Sequence, residues 1–135
     1  MNWAGVIALL LLVGAVCGLA WIRLAPDDVA RWHHVPEAVT TRDMDGGVIR
    51  IVPGALAELN PIIRQTPRTR LLAGSVQSGM VTYITRSKLF GFPDYTTVAQ
   101  RGDDLILYAR LRYGKSDMGV NKARVDHWLS ELAQE

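Results

Sequence analysis

The sequence predicts an α+β fold: a small antiparallel sheet of about four to five strands, two helices packed on one of its faces, and one transmembrane helix ahead of them. Three observations predict it. Residues 3–22 form a run of 20 without a charge, 17 of them hydrophobic. Several short β-rich runs follow between residues 48 and 113, separated by turn residues. Near the end, Val125, Trp128, Leu129 and Leu132 repeat at helical spacing. The chain has 135 residues, 49% hydrophobic and 21% charged, which is enough for one domain and too little for two of ordinary size. With the apolar content concentrated at one end, a polytopic membrane protein and a disordered chain are both excluded. Cys17 is the single cysteine, so no intrachain disulfide can staple the fold.

Each element has its own justification. At 1.5 Å per residue, a 20-residue helix is about 30 Å long, the thickness of a bilayer's hydrocarbon core. Trp3 and Trp21 sit at its two ends, where amphipathic rings favour the interface, and Arg23 ends the run. A cleaved signal peptide is the rival reading, since Gly18-Leu19-Ala20 has suitable small residues. A signal peptide has a basic start and a shorter apolar stretch, so an uncleaved anchor over residues 1–23 fits better. Residues 24–47 read as a connector: they contain Pro26 and Pro36, five acidic residues, no sustained period, and a closing Gly46-Gly47. The soluble domain is then 48–135.

Within it, VIRIV at 48–52 is a short strand ended by Pro53-Gly54. Leu56, Leu59 and Ile63 predict a helix that Pro61 should kink or shorten. Strands are expected at 69–76, 80–85, 95–101 and 105–113, with tight turns at Ser78-Gly79 and Gly102-Asp103-Asp104 that make neighbours antiparallel. In the last of these, Leu105, Leu107, Ala109 and Leu111 point one way, and Ile106, Tyr108, Arg110 and Arg112 the other. Asn121 is the expected N-cap of the closing helix, with Val120 and Val125 as a hydrophobic staple.

Charge is distributed unevenly. Residues 64–124 carry net +7, residues 23–63 net −2 and residues 125–135 net −3, for +2 overall. One explanation is a solvated sheet face whose arginines pair with nearby acids. The other is an anion-binding surface built from Arg86, Lys88, Tyr108, Arg110 and Arg112, since a guanidinium fork suits carboxylate and phosphate. Catalytic motifs are not found: GxSxG, the phosphate loop and HExxH are all missing, and His33-His34 and His127 are the only histidines. Adjacent histidines on an extended chain diverge, so no metal site and no cofactor are expected. Ser116-Asp117 reads as a turn whose side chains bond local amides and feed a helix start, and Gly119 as a position of positive φ. Phe92 is expected to plug the core edge, Pro93 to stiffen a turn, and Asp94 to cap it or pair with an arginine.

Three stretches carry a resemblance: YITRS at 83–87, FGFPD at 90–94 and, above all, ARLRYGKSDMGVNKARV at 109–125. The last has a strand with alternating arginines, the Ser116-Asp117-x-Gly119-x-Asn121 turn, and a helix start with Arg124. The chain resembles domain-of-unknown-function family 1499 over residues 54–132. The resemblance implies a bacterial-type envelope protein with a small α+β domain, often behind one hydrophobic segment, and supplies no reaction. Two function classes follow. One is a single-pass, membrane-anchored accessory or binding domain that recognises an anionic ligand, a lipid headgroup or a partner protein. The alternative is an envelope enzyme with a site made of Arg86, Arg110, Asp94 and Asp117. The lack of a histidine base near the motif favours the binding domain. Nucleic acid is not an expected partner at a net charge of +2. Arg23 and Arg31 would keep the domain in the cytoplasm by the positive-inside rule, whereas the envelope resemblance puts it outside.

Overall fold

The structure is a computed structural model that describes residues 2–37 and 39–134. Helix α1 (Trp3–Leu24) is long and apolar enough to cross a membrane, and none of its hydrophobic window is buried against the rest of the chain. Asn2 caps it, its side chain accepting from the Gly5 amide at 2.7 Å. A single turn, α2 (Val29–Trp32), follows, capped by Asp28. The domain then runs β1 (Arg42–Met44), β2 (Gly47–Pro53), α3 (Leu56–Arg64), β3 (Thr69–Ser75), β4 (Met80–Arg86), β5 (Pro93–Arg101), β6 (Asp104–Leu111) and α4 (Val120–Leu132).

The strands form one antiparallel sheet in the order β1-β2-β6-β5-β4-β3. Six strands form where four to five were expected. The extra one, β1, lies in the expected connector. Asp45-Gly46 is the two-residue turn of a β1–β2 hairpin, a strong hairpin signal that was overshadowed by the Gly46-Gly47 pair beside it. Gly47 has a separate role: it sits opposite Arg110 on β6, and a Cβ there would collide with the Ala109 carbonyl.

Helices α3 and α4 pack on one face of the sheet, as expected. That core holds Val48, Val81, Tyr83, Val98, Leu105, Leu107 and Ala109 from the strands, Leu59 and Ile63 from α3, and Val125 and Trp128 from α4. Pro61 sits inside α3, whose nine residues keep Leu56, Leu59, Ile62 and Ile63 buried on one side. Trp128 is fully buried, and its indole N–H donates to Thr66 Oγ1 at 2.7 Å, closing the α4–α3 contact.

The opposite face is covered as well. Residues 25–37, part of the stretch 24–47 expected as a connector, lie across it. Trp32 stacks on Tyr95 with ring centroids 3.9 Å apart and planes within 4°. Ile84 and Leu72 complete this second, smaller core. Arginines of the sheet hold the segment along its length: Arg112 donates to the Pro26 carbonyl, Arg70 to Asp27, Arg110 to the Trp32 carbonyl, and Arg101 to the Pro36 and Glu37 carbonyls. Much of the basic character of residues 64–124 therefore serves to bind a strap of the same chain.

Candidate functional site

Tyr108, Arg110 and Arg112 do project away from the leucine face, and the strap lies over them. Arg110 is only 7% exposed. Its guanidinium donates to Thr97 Oγ1 at 2.9 Å, to the Tyr108 carbonyl at 3.0 Å and to the Trp32 carbonyl, and lies over the Tyr108 ring at 4.2 Å. Burial pulls its pKa down to about 10, leaving it charged at neutral pH. Thr97 also donates to the Trp32 carbonyl and is bonded to Thr82, which meets His33 Nδ1 at 2.8 Å. Burial lowers the pKa of His33, so the neutral ring suits this network. Arg112 reaches Tyr95 Oη at 3.1 Å and Asp27 at 3.5 Å, and Asp27 also accepts from the Tyr95 hydroxyl. Arg86 donates to the carbonyls of Ile22 and Gly91 at 3.1 and 2.8 Å. Of the five residues expected to bind anions, Lys88 alone is exposed.

The motif residues assemble on the other side of the sheet, at its end nearest α1. Helix α4 begins at Val120, with Gly119 as its N-cap in the left-handed region at φ 79°, so Asn121 lies inside the helix instead of capping it. Asp117 does the capping: one carboxylate oxygen accepts from the Gly119 amide at 2.9 Å and the other from the Asn121 amide at 3.1 Å. That is the expected role of the Ser116-Asp117 turn, displaced from the residue assigned to it. The staple goes with the cap, because Val120 is now the first helical residue and half exposed.

Asn121 is fully buried as a bridge. Its amide donates to Asp117 at 2.8 Å and its carbonyl accepts from Arg124 at 3.0 Å, while Arg124 pairs with Asp94 at 3.2 Å. Asp94, Arg124, Asn121 and Asp117 thus form one chain of hydrogen bonds, which explains their spacing in the sequence. Burial raises the pKa of Asp94, and Asp117 adds to the rise against the opposing pull of Arg124.

In front of this chain lies a cavity of about 370 Å³, lined by Ser87, Phe92, Asp94, Tyr113, Ser116 and Asp117 among others. The Tyr113 hydroxyl is buried and has no hydrogen-bond partner among the described residues. Phe92 does not plug the core; it is 39% exposed and leans towards Phe90 and Tyr113. Arg110 is not in this cavity, because the sheet separates it from Asp94. The cavity was not foreseen from the sequence, since its walls come from two segments far apart in the chain, 87–94 and 111–120; FGFPD and the Ser116-Asp117 turn were nonetheless marked. Among the described residues, no group of three or more His, Cys, Asp or Glu is placed to hold a metal ion.

The model of a family of proteins of unknown function, DUF1499, matches residues 26–132. The chain belongs to the DUF1499 family. The match extends well before residue 54, where the motif resemblance began, and takes in the strap from Pro26 onward. The DUF1499 region of this chain is therefore the sheet with both of its covers. No curated protein and no solved structure matches the chain.

Proposed function

We propose that this DUF1499 protein is a single-pass, membrane-anchored binding domain that takes an amphiphilic ligand, a lipid or lipid-like molecule, into the cavity beside its anchor. The observation that carries this reading is the position of Phe92. The ring is a wall of the cavity and also a wall of an apolar groove against Ala15, Gly18, Leu19 and Ile22 of α1. A ligand could enter from the bilayer side with its polar end at Ser87, Tyr113 and Ser116. The arginines of the second face are engaged with the strap, which leaves the exposed Lys88 and Lys115 at this end of the domain to meet an anionic headgroup. The anchor reading fits the Trp-flanked run, uncharged over residues 3–22, and the lack of burial of its helix.

Membrane fractionation with alkaline washing, followed by N-terminal sequencing, tests the anchor. The expected product stays with the membrane and retains α1. A mature chain that starts at Trp21 or later would overturn the reading. We further propose that the domain lies outside the cytoplasm, the side that the envelope resemblance implies. A reporter active only after export, fused behind Glu135, should be active; activity of a cytoplasm-only reporter instead would reverse the topology.

A second reading, an enzyme, is favoured by one observation: a partly buried carboxyl, Asp94, held above its ordinary pKa at the wall of a cavity. Its test is turnover of lipid-like esters or phosphates by the wild type against Asp94→Asn. Equal product from both removes this reading.

A further inference from the structure

Outside α1, the exposed large hydrophobic side chains among the described residues are Val29, Leu89, Phe90, Phe92, Met118 and Val120. All but Val29 belong to two loops that bound the same cavity. Single exposed apolar residues are ordinary, whereas a cluster of this kind marks a contact surface. We infer that loops 88–92 and 118–120 dip into the bilayer beside the anchor and form a second membrane contact that holds the cavity at the lipid surface. The inference rests on the anchor reading above.

The depth follows from the groove. Its α1 wall runs from Ile22 back to Ala15, seven residues or about 10 Å along the helix axis. Phe90 and Phe92 form its other wall, so both rings lie beside the last two turns of the apolar run. When α1 spans the membrane, those turns run from the interface at Trp21 into the hydrocarbon. The loop is fixed at that height by polar ties. Arg23 donates to the Leu89 carbonyl, and Arg86 donates to the Ile22 and Gly91 carbonyls, joining the end of the helix to the loop. Gly91 sits at φ 76° with the Arg23 side chain against it. The Ser87 amide donates to the Phe92 carbonyl and the Phe92 amide to Ser87 Oγ, closing the base. With its base closed, the loop holds Leu89, 75% exposed, at its tip.

The second loop adds an independent sign. Met118 is 94% exposed and sits in the left-handed region at φ 54°, a conformation that costs a non-glycine residue energy. Met118 thus holds a strained backbone while showing its side chain to the outside, as a membrane-seeking residue would. Val120 lines the cavity together with Phe92, which puts this turn at the same end of the domain. Lys88 and Lys115 flank the two loops and are exposed, at the level where a basic side chain meets lipid phosphates.

The test uses the full chain with Cys17→Ser, reconstituted in vesicles of phosphatidylcholine and phosphatidylglycerol. Single cysteines at Leu10, Leu89, Met118 and Gln77 carry an environment-sensitive fluorophore. Nitroxide lipids probe contact with the bilayer, and aqueous iodide probes contact with water. Gln77 is exposed, in the β3–β4 turn, and serves as the water reference. The expected result is that Leu10, Leu89 and Met118 are quenched severalfold more by nitroxide lipid, and severalfold less by iodide, than Gln77. If Leu10 is in lipid while either loop position matches Gln77, the inference is overturned and the anchor stands. If Leu10 itself matches Gln77, the anchor reading fails and the inference falls with it.

Discussion

Trp32→Ala separates a strap that belongs to the fold from a tether that does not. Trp32 is 5% exposed and stacked on Tyr95. A buried tryptophan removes roughly 200 Å² from water, which at about 25 cal/mol per Å² is about 5 kcal/mol. The unfolded chain already buries part of that surface, which reduces the figure to about 3–4 kcal/mol. Truncation also uncovers the Tyr95 face and the Arg110 guanidinium, which lies 5.3 Å from the indole centroid. The strap keeps its arginine ties, so part of the loss is recoverable. An expected cost of about 3 kcal/mol is a large share of the 5–15 kcal/mol typical of a domain. Urea unfolding of the full chain in mild detergent, followed by the circular dichroism of the sheet, measures it. A change within about 0.5 kcal/mol, as for an ordinary surface position, would refute the claim that residues 25–37 are part of the core.

Three further predictions follow from the same contacts. Trp128→Ala should cost about 3–5 kcal/mol in the same assay, because the ring is buried between α3, α4 and the sheet. Asp117→Ala should cost about 1–2 kcal/mol, through loss of the cap to the Gly119 and Asn121 amides; a cost near zero would show that α4 starts without it. Asp94→Asn carries a pH signature. Burial puts the folded-state pKa of Asp94 above its ordinary unfolded value, so Asp94 contributes stability below that value and loses it as pH rises through the folded pKa. The variant should therefore gain in Tm relative to wild type as pH rises through the acidic range, and the opposite trend would mean that the Arg124 pairing outweighs burial.

The sheet and its helical cover were legible because their signals are local. Leu105, Leu107 and Ala109 alternate along one strand, and Val125, Trp128 and Leu129 recur at helical spacing. The strap was not, because α2 is a single turn and the segment has no period: its position is set by arginines 40 to 90 residues away in the sequence and by one tryptophan ring. The composition of residues 24–47 therefore suggested a linker, although Trp32 within it was a reason to expect burial. Asn121 shows a similar limit. Its residue type suits an N-cap, but Asp117 four positions earlier takes the amides, and Asn121 becomes the buried link between Asp117 and Arg124. The basic charge of residues 64–124 was correctly located, and its use was decided by what the chain laid on top of it.

The most direct test of the central claim, a lipid-binding cavity beside an anchor, is native mass spectrometry of the full chain released from a native-lipid nanodisc. Wild type is compared with Val120→Trp, which places a large ring in the cavity from a half-exposed position that does not disturb the core. The account predicts a discrete lipid-sized adduct on the wild type that is lost from the variant, with both chains still in the membrane fraction. The same adduct on both chains, or none on the wild type, would contradict it.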